Sequence, residues 1–334
     1  MANTLGRQQV VGFGKQSSRG TGVTAAYWFR RNGEFTPNEN VEYVVDDSAI
    51  GNNSMSRGSD PARQWAEPTI PFFVDLASWG AIEFNNADSY AVAGNADASG
   101  NVYDHTSKVG TATSIADKLL SINVDDATRG DLDYDDAILN GYKLDFNMST
   151  KLTGTLDFVS KYSASGSQTV ALVTPNYFMG RHITVKIGTA VSTLAAFSCK
   201  SGSIEISNGV NNDESAFNLG TVDIADHHKT ERTATITLNK FLADNTYMAY
   251  FKAGTELAVE ITIEDTATTI GTAANPLIKY TFPVCTVQSV PSNGLSDIRG
   301  EDLTLTAHYG LDDDESASYL YKSFITNLVD IYSA

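Results

Sequence analysis

Three observations predict an all-β fold, an antiparallel β-sandwich or barrel, for this chain of 334 residues. Many short segments alternate between polar and apolar residues, which is typical of strands with one buried face. Turn-forming pairs such as Asn-Gly separate these segments. Charged residues make up only 19% of the chain, and residues suited to strands and turns take their place. Hydrophobic residues, at 42%, are sufficient for a substantial core.

The clearest pair of strands covers residues 142–148 and 152–158, which predict a β-hairpin that turns near Ser149 and Thr150. Further segments follow the same alternation: 183–187, 203–207, 234–238, 257–263 and 303–309. The turns between strands are predicted at Asn140-Gly141, Ser207-Asn208-Gly209 and Ser292-Asn293-Gly294. An antiparallel arrangement follows, because each strand has one apolar face.

Only a few stretches predict helices, which would be short and flank the sheet. Residues 71–84 begin with Pro71 and carry an apolar stripe of Phe72, Leu76, Trp79 and Ile82. Residues 244–253 begin with a capping Asp or Asn and stop at Gly254. The C-terminal residues 318–332 fit a helix or a strand equally well.

The order strands, helix, strands occurs twice along the chain, which predicts a duplicated fold. The predicted halves are residues 1–165, which include a basic N-terminal arm, and residues 166–334. Residues 46–68 and 85–114 are rich in Asn, Ser, Ala, Gly and Asp and predict long loops. In an assembly, such loops become ordered against a neighbouring copy.

The charge pattern excludes a protein that holds nucleic acid by its phosphates, because the net charge is -17. An acidic surface keeps a protein soluble, and it also suits a wall past which DNA slides. The first 33 residues are the exception, because they contain no acidic residue. Their basic residues are Arg7, Lys15, Arg19, Arg30 and Arg31. We expect these residues to take part in contacts between subunits, unless the segment is a solvated terminus.

Cys199 and Cys285 do not indicate a disulfide framework, and we expect both to be small core residues. The first residues lack the pattern of a secretion signal, and no apolar run reaches the roughly 18 residues that span a bilayer. The expectation is a protein made in the cytoplasm without membrane insertion.

Candidate metal sites are incomplete in the sequence. The pair His227-His228 fits a turn between strands and would need remote carboxylates to bind a metal. Six aspartates have partial calcium-loop spacing: Asp125, Asp126, Asp131, Asp133, Asp135 and Asp136. The pattern fails at its sixth and twelfth positions, Asp136 and Tyr142, where glycine and glutamate are needed. An irregular Ca²⁺ site, a solvated acidic loop and an acidic rim that meets the basic arm remain as alternatives.

Catalytic motifs are missing from the sequence as well. The Gly12-Phe13-Gly14-Lys15 segment lacks the spacing of a phosphate-binding loop, and there is no Gly-x-Ser-x-Gly elbow. A catalytic pair of carboxylates that only the fold brings together stays open as an alternative, but no feature of the sequence supports it. The prediction is a protein that is not an enzyme, has no catalytic residues and requires no cofactor or metal.

The N-terminal phrase Val11 to Thr24, VGFGKQSSRGTGVT, followed by Tyr27-Trp28-Phe29, resembles the opening of one group of bacteriophage tail tube proteins. That group begins with Gly-x-Gly-Lys-(Glu/Gln), then a Gly-Thr pair and an aromatic strand. The C-terminal half is similar too, at residues 204–210, 278–290 and 299–305. The motifs are short, and Gln16 stands where Glu is frequent.

The resemblance implies a major tail protein of a long-tailed, siphophage-type phage. Such proteins fold as β-sandwiches flanked by a helix, and strands of neighbouring subunits join into a barrel around a lumen. Rings stack into a tube, which long loops and terminal arms bridge. The tube carries genomic DNA during ejection, and in some phages it holds the tape measure protein before ejection. The lumen-lining residues are not identified by the sequence.

Two copy numbers follow from the resemblance. If each half forms one tube fold, a trimer gives pseudo-sixfold symmetry; otherwise six copies form a hexamer. Rival interpretations are a capsid decoration or tail terminator protein, a β-sandwich adhesin or receptor-binding module with a Ca²⁺ or carbohydrate site near 125–136, and a hydrolase on a β scaffold. Stacked tubes, single rings and stable monomers distinguish these classes.

Overall fold

The fold is mostly antiparallel β-sheet, as the alternating sequence predicts, with 53% of residues in strands and 9% in helices. A computed structural model describes residues 9–47, 58–95, 97, 100–111, 117–293 and 299–329. Within these residues, no helix is long and apolar enough to cross a membrane.

The strands are β1 (Val10–Lys15), β2 (Tyr27–Phe29), β3 (Glu39–Asp46), β4 (Gly58–Ala66), β5 (Thr69–Phe73), β6 (Ser89–Gly94), β7 (Tyr103–Val109), β8 (Leu120–Asp125), β9 (Leu132–Asn147), β10 (Thr153–Val159), β11 (Ala164–Ser165), β12 (Ile183–Gly188), β13 (Ala195–Phe197), β14 (Ser201–Ser207), β15 (Thr233–Phe241), β16 (Glu256–Glu264), β17 (Leu277–Ser289), β18 (Ser292–Asn293), β19 (Gly300–His308), β20 (Gly310–Asp312), β21 (Ala317–Tyr319) and β22 (Tyr321–Asn327). The α-helices are α1 (Leu76–Asn86) and α2 (Thr246–Ala253). Three short 3₁₀ turns lie at Gly180–His182, Val191–Thr193 and Glu214–Ala216.

The predicted strands are confirmed, including the hairpin of β9 and β10, but the predicted turn at Asn140-Gly141 is wrong, because both residues lie within β9, where the pairing with β10 shifts register. The helix at 71–84 is placed too early by the sequence, because residues 69–73 form β5. Asp75 determines the start of α1: its Oδ1 accepts from the amides of Ala77 (3.0 Å) and Ser78 (3.2 Å). Gly254 ends α2 with a left-handed φ of 63°, as predicted. The described part of 318–332 is strand.

The two predicted long loops are wrong in part, and residues 48–57, 96, 98–99 and 112–114 of them lie outside the described residues. Residues 58–66 form β4, and β6 and β7 lie within 85–114. These strands look like loops in the sequence because they are polar and partly exposed, and because Pro61 is unusual within a strand. In the described residues, β3 and β4 form a two-stranded sheet, and isolated bridges join Gln64 to Asp223 and Ala66 to Ser160.

The sheet closes on itself in its N-terminal part. Strands β2, β1, β8, β9, β10 and β5 are neighbours in that order. The segment after β2 then meets β5, where Arg31 is bridged to Phe72 and the Phe73 amide donates to the Arg30 carbonyl over 3.0 Å. A closed path of strands leaves few free edges. Its interior holds packed aromatic rings: Phe13 and Phe29 are stacked with centroids 5.1 Å apart, and Phe29 and Phe72 are tilted with centroids 5.0 Å apart.

Strand β9 also continues the sheet into the C-terminal part of the chain. Its last residues pair with β14, and β15, β19, β17, β16, β12 and β13 follow in order. The N-terminal part of β17 pairs with β22, which leads to β7 and β6. One core cluster contains residues of both predicted halves, for example Phe72 and Ile236. The division at 165/166 and the duplication stay predictions.

Helix α1 lies inside the fold, and its Glu83 is completely enclosed. Tyr142 and Tyr280 donate hydrogen bonds to Glu83 Oε1 over 2.6 and 2.7 Å, and Tyr321 donates to Oε2 over 3.4 Å. The indole of Trp79 donates to the Tyr280 hydroxyl over 2.7 Å. Burial raises the pKa of Glu83, and the tyrosine hydrogen bonds oppose that rise. The carboxyl group thereby joins α1 to β9, β17 and β22.

The C-terminus of α1 is satisfied by buried amines. Lys118 Nζ donates to the carbonyls of Phe84 (2.6 Å) and Ala87 (2.8 Å), and Lys229 Nζ donates to that of Asn85 (3.4 Å). Cations suit this end of a helix because its carbonyls carry partial negative charge. The pKa of Lys118 is lowered to about 8 and that of Lys229 to about 7. Burial is the main cause in both, and nearby positive charges lower the two pKa values further.

Candidate assembly surfaces

The predicted basic contact residues lie in different environments. Arg7 lies outside the described residues. Lys15 ends β1, with its Nζ 5.2 Å from the ring centroid of Phe84. Arg30 and Arg31 line one cavity, whereas Arg19 contacts His227, so the four described basic residues do not form one cluster. No contact between subunits is tested by a single chain, so their assembly role stays a prediction.

Arg19 binds inside its own chain. Its guanidinium donates to His227 Nδ1 (3.2 Å) and to the His227 carbonyl (3.1 Å), while the ring Nε2 donates to the Asp136 carbonyl (2.6 Å). The ring is therefore neutral with its proton on Nε2. Burial is the main cause that lowers the pKa of His227 to about 4. The Gly20 amide donates to Asp136 Oδ1 over 2.6 Å, and Lys161 is paired with its Oδ2 over 2.7 Å.

Arg30 and Arg31 line a surface cavity of about 930 Å³, which we call the arginine groove. Other lining residues are Gln9, Glu34, Phe73 and Leu172. Arg30 Nη2 donates to the Val173 carbonyl over 3.0 Å, and Arg31 Nη2 donates to the Gln9 carbonyl over 2.6 Å. Burial lowers the pKa of Arg31, opposed by the charges of Glu34 and Asp126. The groove is therefore positively charged on an acidic protein.

The six aspartates of 125–136 lie at the turn between β8 and β9 and along β9. Some of their carboxylate oxygens accept hydrogen bonds from side-chain amides and hydroxyls. Asn123 donates to Asp133 Oδ1 (2.7 Å), and Ser121 donates to Asp135 Oδ1 (2.6 Å). Burial raises the pKa of Asp133. Gly20 binds Asp136 (above), so the acidic segment meets part of the N-terminal arm within the same chain.

Metal-ligand geometry is not formed anywhere in the described parts of the chain, where no group of three or more His, Cys, Asp or Glu side chains could hold an ion. His228 Nδ1 contacts Asp117 at the surface, apart from the buried His227. Cys285 is fully buried and Cys199 half-buried, and both are free. Burial raises the pKa of both thiols, that of Cys199 to about 11, so neither is an activated nucleophile.

The last described residues of β3, before the connection to β4, expose large apolar side chains. Tyr43, Val44 and Val45 are 55%, 63% and 51% exposed. The exposed residues Asp46 and Asp47 follow them directly. We call Tyr43–Asp47 the hairpin tip. A contiguous exposed apolar patch beside charged residues marks an interaction site more often than a single exposed residue does.

The base of the same hairpin is anchored on the rest of the chain. The indole of Trp65 packs edge-on against Phe217, with ring centroids 5.9 Å apart. The Gln64 amide donates to the Val222 carbonyl over 2.7 Å. Arg63 binds Glu42 across the two strands, with Nε at 2.8 Å from Oε2. The fold therefore positions the hairpin tip away from the core.

Strands β5, β10, β9, β14, β15, β19 and β17 present a broad polar face opposite the core. One row of directly opposed residues runs across all of them: Pro71, Thr155, Lys143, Glu205, Thr235, Thr306 and Thr286. A neighbouring row is Phe73, Thr153, Asp145, Ser203, Thr237 and Thr304. We call this surface the hydroxyl face. Its charged side chains include Asp145, Asp157, Glu205 and Asp302, with Lys143 among them.

Sequence reasoning missed the hairpin tip and the hydroxyl face. The predicted loop at 46–68 begins beside these residues. Tyr43, Val44 and Val45 are strong strand formers, and they are the sequence feature that indicates a strand here. The hydroxyl face was visible as the polar half of each alternation. Which strands would be neighbours was not visible, because register between distant strands depends on the tertiary fold.

Comparison with known protein families identifies the chain. The family described as phage tail tube protein matches residues 6–307, nearly the whole length. A search of curated proteins returned no match. The chain therefore belongs to the phage tail tube protein family, whose members are structural components of the virion tail.

Proposed function

We propose that copies of this tail tube protein assemble into closed rings that stack into a tube, and that genomic DNA passes through the lumen during ejection. The observation that carries the proposal is the combination of an apolar hairpin tip with a broad, sparsely charged hydroxyl face on one chain. The tip supplies surface to bury between subunits. The face supplies a polar wall that needs no partner.

The hydroxyl face fits the wall of a DNA channel for electrostatic reasons. Four carboxylates and one amine give the face a net negative charge. They are Asp145, Asp157, Glu205, Asp302 and Lys143. Phosphates bind proteins mainly through cations that replace condensed counterions, and this face offers few. Its threonines and serines are well hydrated and uncharged, so passing DNA finds neither strong attraction nor an apolar surface.

The ring is proposed as a trimer with pseudo-sixfold symmetry or as a hexamer. The first requires that residues 1–165 and 166–334 act as equivalent halves. Before ejection, the tape measure protein would fill the lumen. Assembly would take place in the host cytoplasm, without catalysis, a membrane or sequence-specific DNA contacts.

The test of assembly is negative-stain electron microscopy of the purified chain across a range of micromolar concentrations. Rings or tubes with a channel of at least about 20 Å, wide enough for a duplex whose major groove alone is about 12 Å across, are the expected result. End-on views give the symmetry. Closed shells or single rings that never stack would favour the decoration or terminator role. Monomers that persist at all concentrations and bind Ca²⁺ or glycans would favour the adhesin role.

The test of the wall uses charge reversal. The variant D145K/E205K should form tubes of normal shape that retain added duplex DNA at low salt and release it as salt rises. The matched control E214K/D314K changes two exposed carboxylates outside the strands of the hydroxyl face, and its tubes should not retain DNA. Equal DNA retention by both variants would overturn the assignment of the wall.

A further inference from the structure

We infer that neighbouring copies join through a contact that each chain already makes between its own two parts, and that three copies close one ring. Inside the chain, β14 pairs with the last residues of β9. Between copies, the start of β3 pairs in the same way with the end of β17 of the next copy. The inference rests on the assembly proposed above and adds to it the edges that join and the number of copies.

The order of strand pairs in the N-terminal part recurs in the C-terminal part. Strands β2, β1, β8, β9, β10 and β5 are antiparallel neighbours in that order. Strands β13, β12, β16, β17, β19 and β15 are antiparallel neighbours in the same way. Helix α1 follows β5 along the chain, and α2 follows β15. Strands β6 and β7 lie between α1 and β8 and have no counterpart in the short described connection between α2 and β16.

The irregularities of the pairing recur as well. The β8–β9 ladder shifts register once, and so does the β16–β17 ladder, each with one extra residue on the second strand. The pairs that flank these shifts are Leu120–Ala137 and Ile122–Tyr134, and Leu257–Cys285 and Val259–Phe282. A second shift passes over Asn140 of β9 opposite β10, and over Gln288 of β17 opposite β19, three residues after Ala137 and Cys285. Such bulges are specific features of a fold, so corresponding positions can be assigned.

Strand β3 begins at the position that corresponds to β14. Thr69 lies opposite Asp157, and Thr237 lies opposite Thr304, and both of these partners flank the second shift. The residues that face Thr69 and Thr237 are therefore counterparts. They are Thr36, with Glu39 opposite Ala66 three residues later, and Ser203, with Ile206 opposite Ala234 three residues later.

One edge is covered in the C-terminal part and open in the N-terminal part. Residues 141–147 of β9 cover the outer edge of β14. Within the described residues, β3 has a ladder with β4 only. The Ala66 backbone exchanges hydrogen bonds of 3.0 and 2.9 Å with Ser160, so the backbone N–H and C=O of Glu39 point away from β4. Such groups are open to a further strand.

The matching open edge lies at the end of β17. This strand pairs with β16 only as far as Thr286, and from there to Ser289 the described chain pairs it on the β19 side alone. The same stretch of β9 is the one that receives β14. One copy therefore carries two complementary open edges at different places. A contact between them is head-to-tail, and such contacts close into rings when the rotation allows.

The junction inside the chain gives the register between copies. Its relevant pairs are Tyr142–Ile206 and Gly141–Ser207. The corresponding pairs between copies are Val290–Glu39 and Ser289–Asn40. The Glu39 carboxylate accepts from the Tyr134 hydroxyl of its own chain over 3.1 Å. The contact uses backbone groups, so this side-chain hydrogen bond remains in place.

The width of the channel decides the number of copies. With β3 added to the hydroxyl face, each copy contributes eight strands: β3, β5, β10, β9, β14, β15, β19 and β17. Three copies with eight strands each give 24. Strands about 4.8 Å apart then form a circle roughly 37 Å across, which strand tilt widens. Side chains of about 5 Å on each side leave at least about 27 Å, enough for a duplex of about 20 Å. Six copies would double the circle and leave the duplex loosely held.

Disulfide trapping in assembled tubes tests the register. In a C199S background, N40C/S289C should link copies under mild oxidation, because directly opposed Cα atoms are about 4.5–5.5 Å apart. The positive control K143C/E205C places two opposed cysteines within one chain and should form an internal disulfide. The register control N40C/T286C moves one cysteine three residues along β17, about 10 Å away, and should not link copies.

The number of copies is read from the same samples on denaturing, non-reducing gels. A contact that closes after three copies gives linked dimers and trimers and no larger species. N38C/P291C lies in the same register and should give the same products, which guards against a defect specific to one variant. Linked species of up to six copies would overturn the three-copy ring. Normal tubes in which neither pair forms links would overturn the pairing. Either result leaves the proposed function standing, whereas absence of rings and tubes in the wild type would overturn the proposed function itself.

Discussion

Helix α1 and the β3–β4 hairpin differ in how far their side chains are buried. Trp79 and Glu83 of α1 are 0% and 1% exposed, and Glu83 accepts hydrogen bonds from three strands. Val44 of the hairpin tip is 63% exposed. The chain therefore buries a carboxyl group while it leaves large apolar groups in water. Stability and assembly are carried by different regions, and substitutions should affect one without the other.

The largest effect on stability is expected at Glu83. In E83A, the tyrosine hydroxyls lose their acceptor in the core, which should lower the free energy of unfolding by about 3–5 kcal/mol. E83Q retains an acceptor oxygen and should cost roughly 1–2 kcal/mol. Urea unfolding of the chain under non-assembling conditions measures both. Equal losses for the two variants would show that volume, rather than the acceptor, matters.

Glu83 also predicts a pH dependence. Its folded pKa is raised by burial, so its contribution is fully present below the unfolded pKa of about 4.3 and is lost as pH rises through the folded value. The stability difference between wild type and E83Q should therefore shrink as pH increases from about 4. A difference that does not change with pH would contradict the raised pKa.

A second pH effect is expected from Lys229 at the end of α1. Its folded pKa of about 7 is below the unfolded value, so the unfolded chain binds a proton that the folded chain lacks over the interval up to about 10.4. Wild-type stability should rise with pH across this interval relative to K229M. The exposed Lys252 provides the control, and K252M should keep the wild-type slope. The same slope in K229M and wild type would show that Lys229 is not desolvated.

A smaller effect is expected at the exposed helix α2, in which no residue is buried. Gly254 has a φ of 63°, so G254A should lower stability by about 1 kcal/mol. G254N should cost less, because asparagine tolerates the left-handed region. Thermal unfolding of both variants tests the order. A loss in G254A as large as that in E83A would remove the contrast between buried and exposed elements.

The smallest effect on stability, with a large effect on assembly, is expected at the hairpin tip. The variant Y43S/V44S/V45S should unfold within about 0.5 kcal/mol of the wild type, since these side chains have little burial to lose. Its rings and tubes should be absent by negative stain. Normal tubes, or a loss of several kcal/mol, would contradict the separation of assembly from folding.

Much of the fold could be predicted from local pattern. The alternation in residues 142–158 predicted the hairpin of β9 and β10, and Gly254 predicted the end of α2. The start of α1 was placed wrongly, since Pro71 and Asp75 are both credible start signals and tertiary pairing of β5 decided between them. Of the predicted contact residues, Arg30 and Arg31 line one groove, but nothing in the sequence shows that Arg19 meets His227.

The sequence by itself determined the strands with regular alternation, such as β9, β10 and β16, together with their buried and polar faces, the acidic charge and the basic N-terminal segment. These features depend on neighbouring residues or on composition. The tertiary structure decided the closure of the sheet at Arg31 and Phe72, the burial of Glu83 and the lowered pKa of Lys229. Each of these results joins residues that are distant in the chain. Their energies depend on desolvation and on contacts that exist only once the strands have found their register.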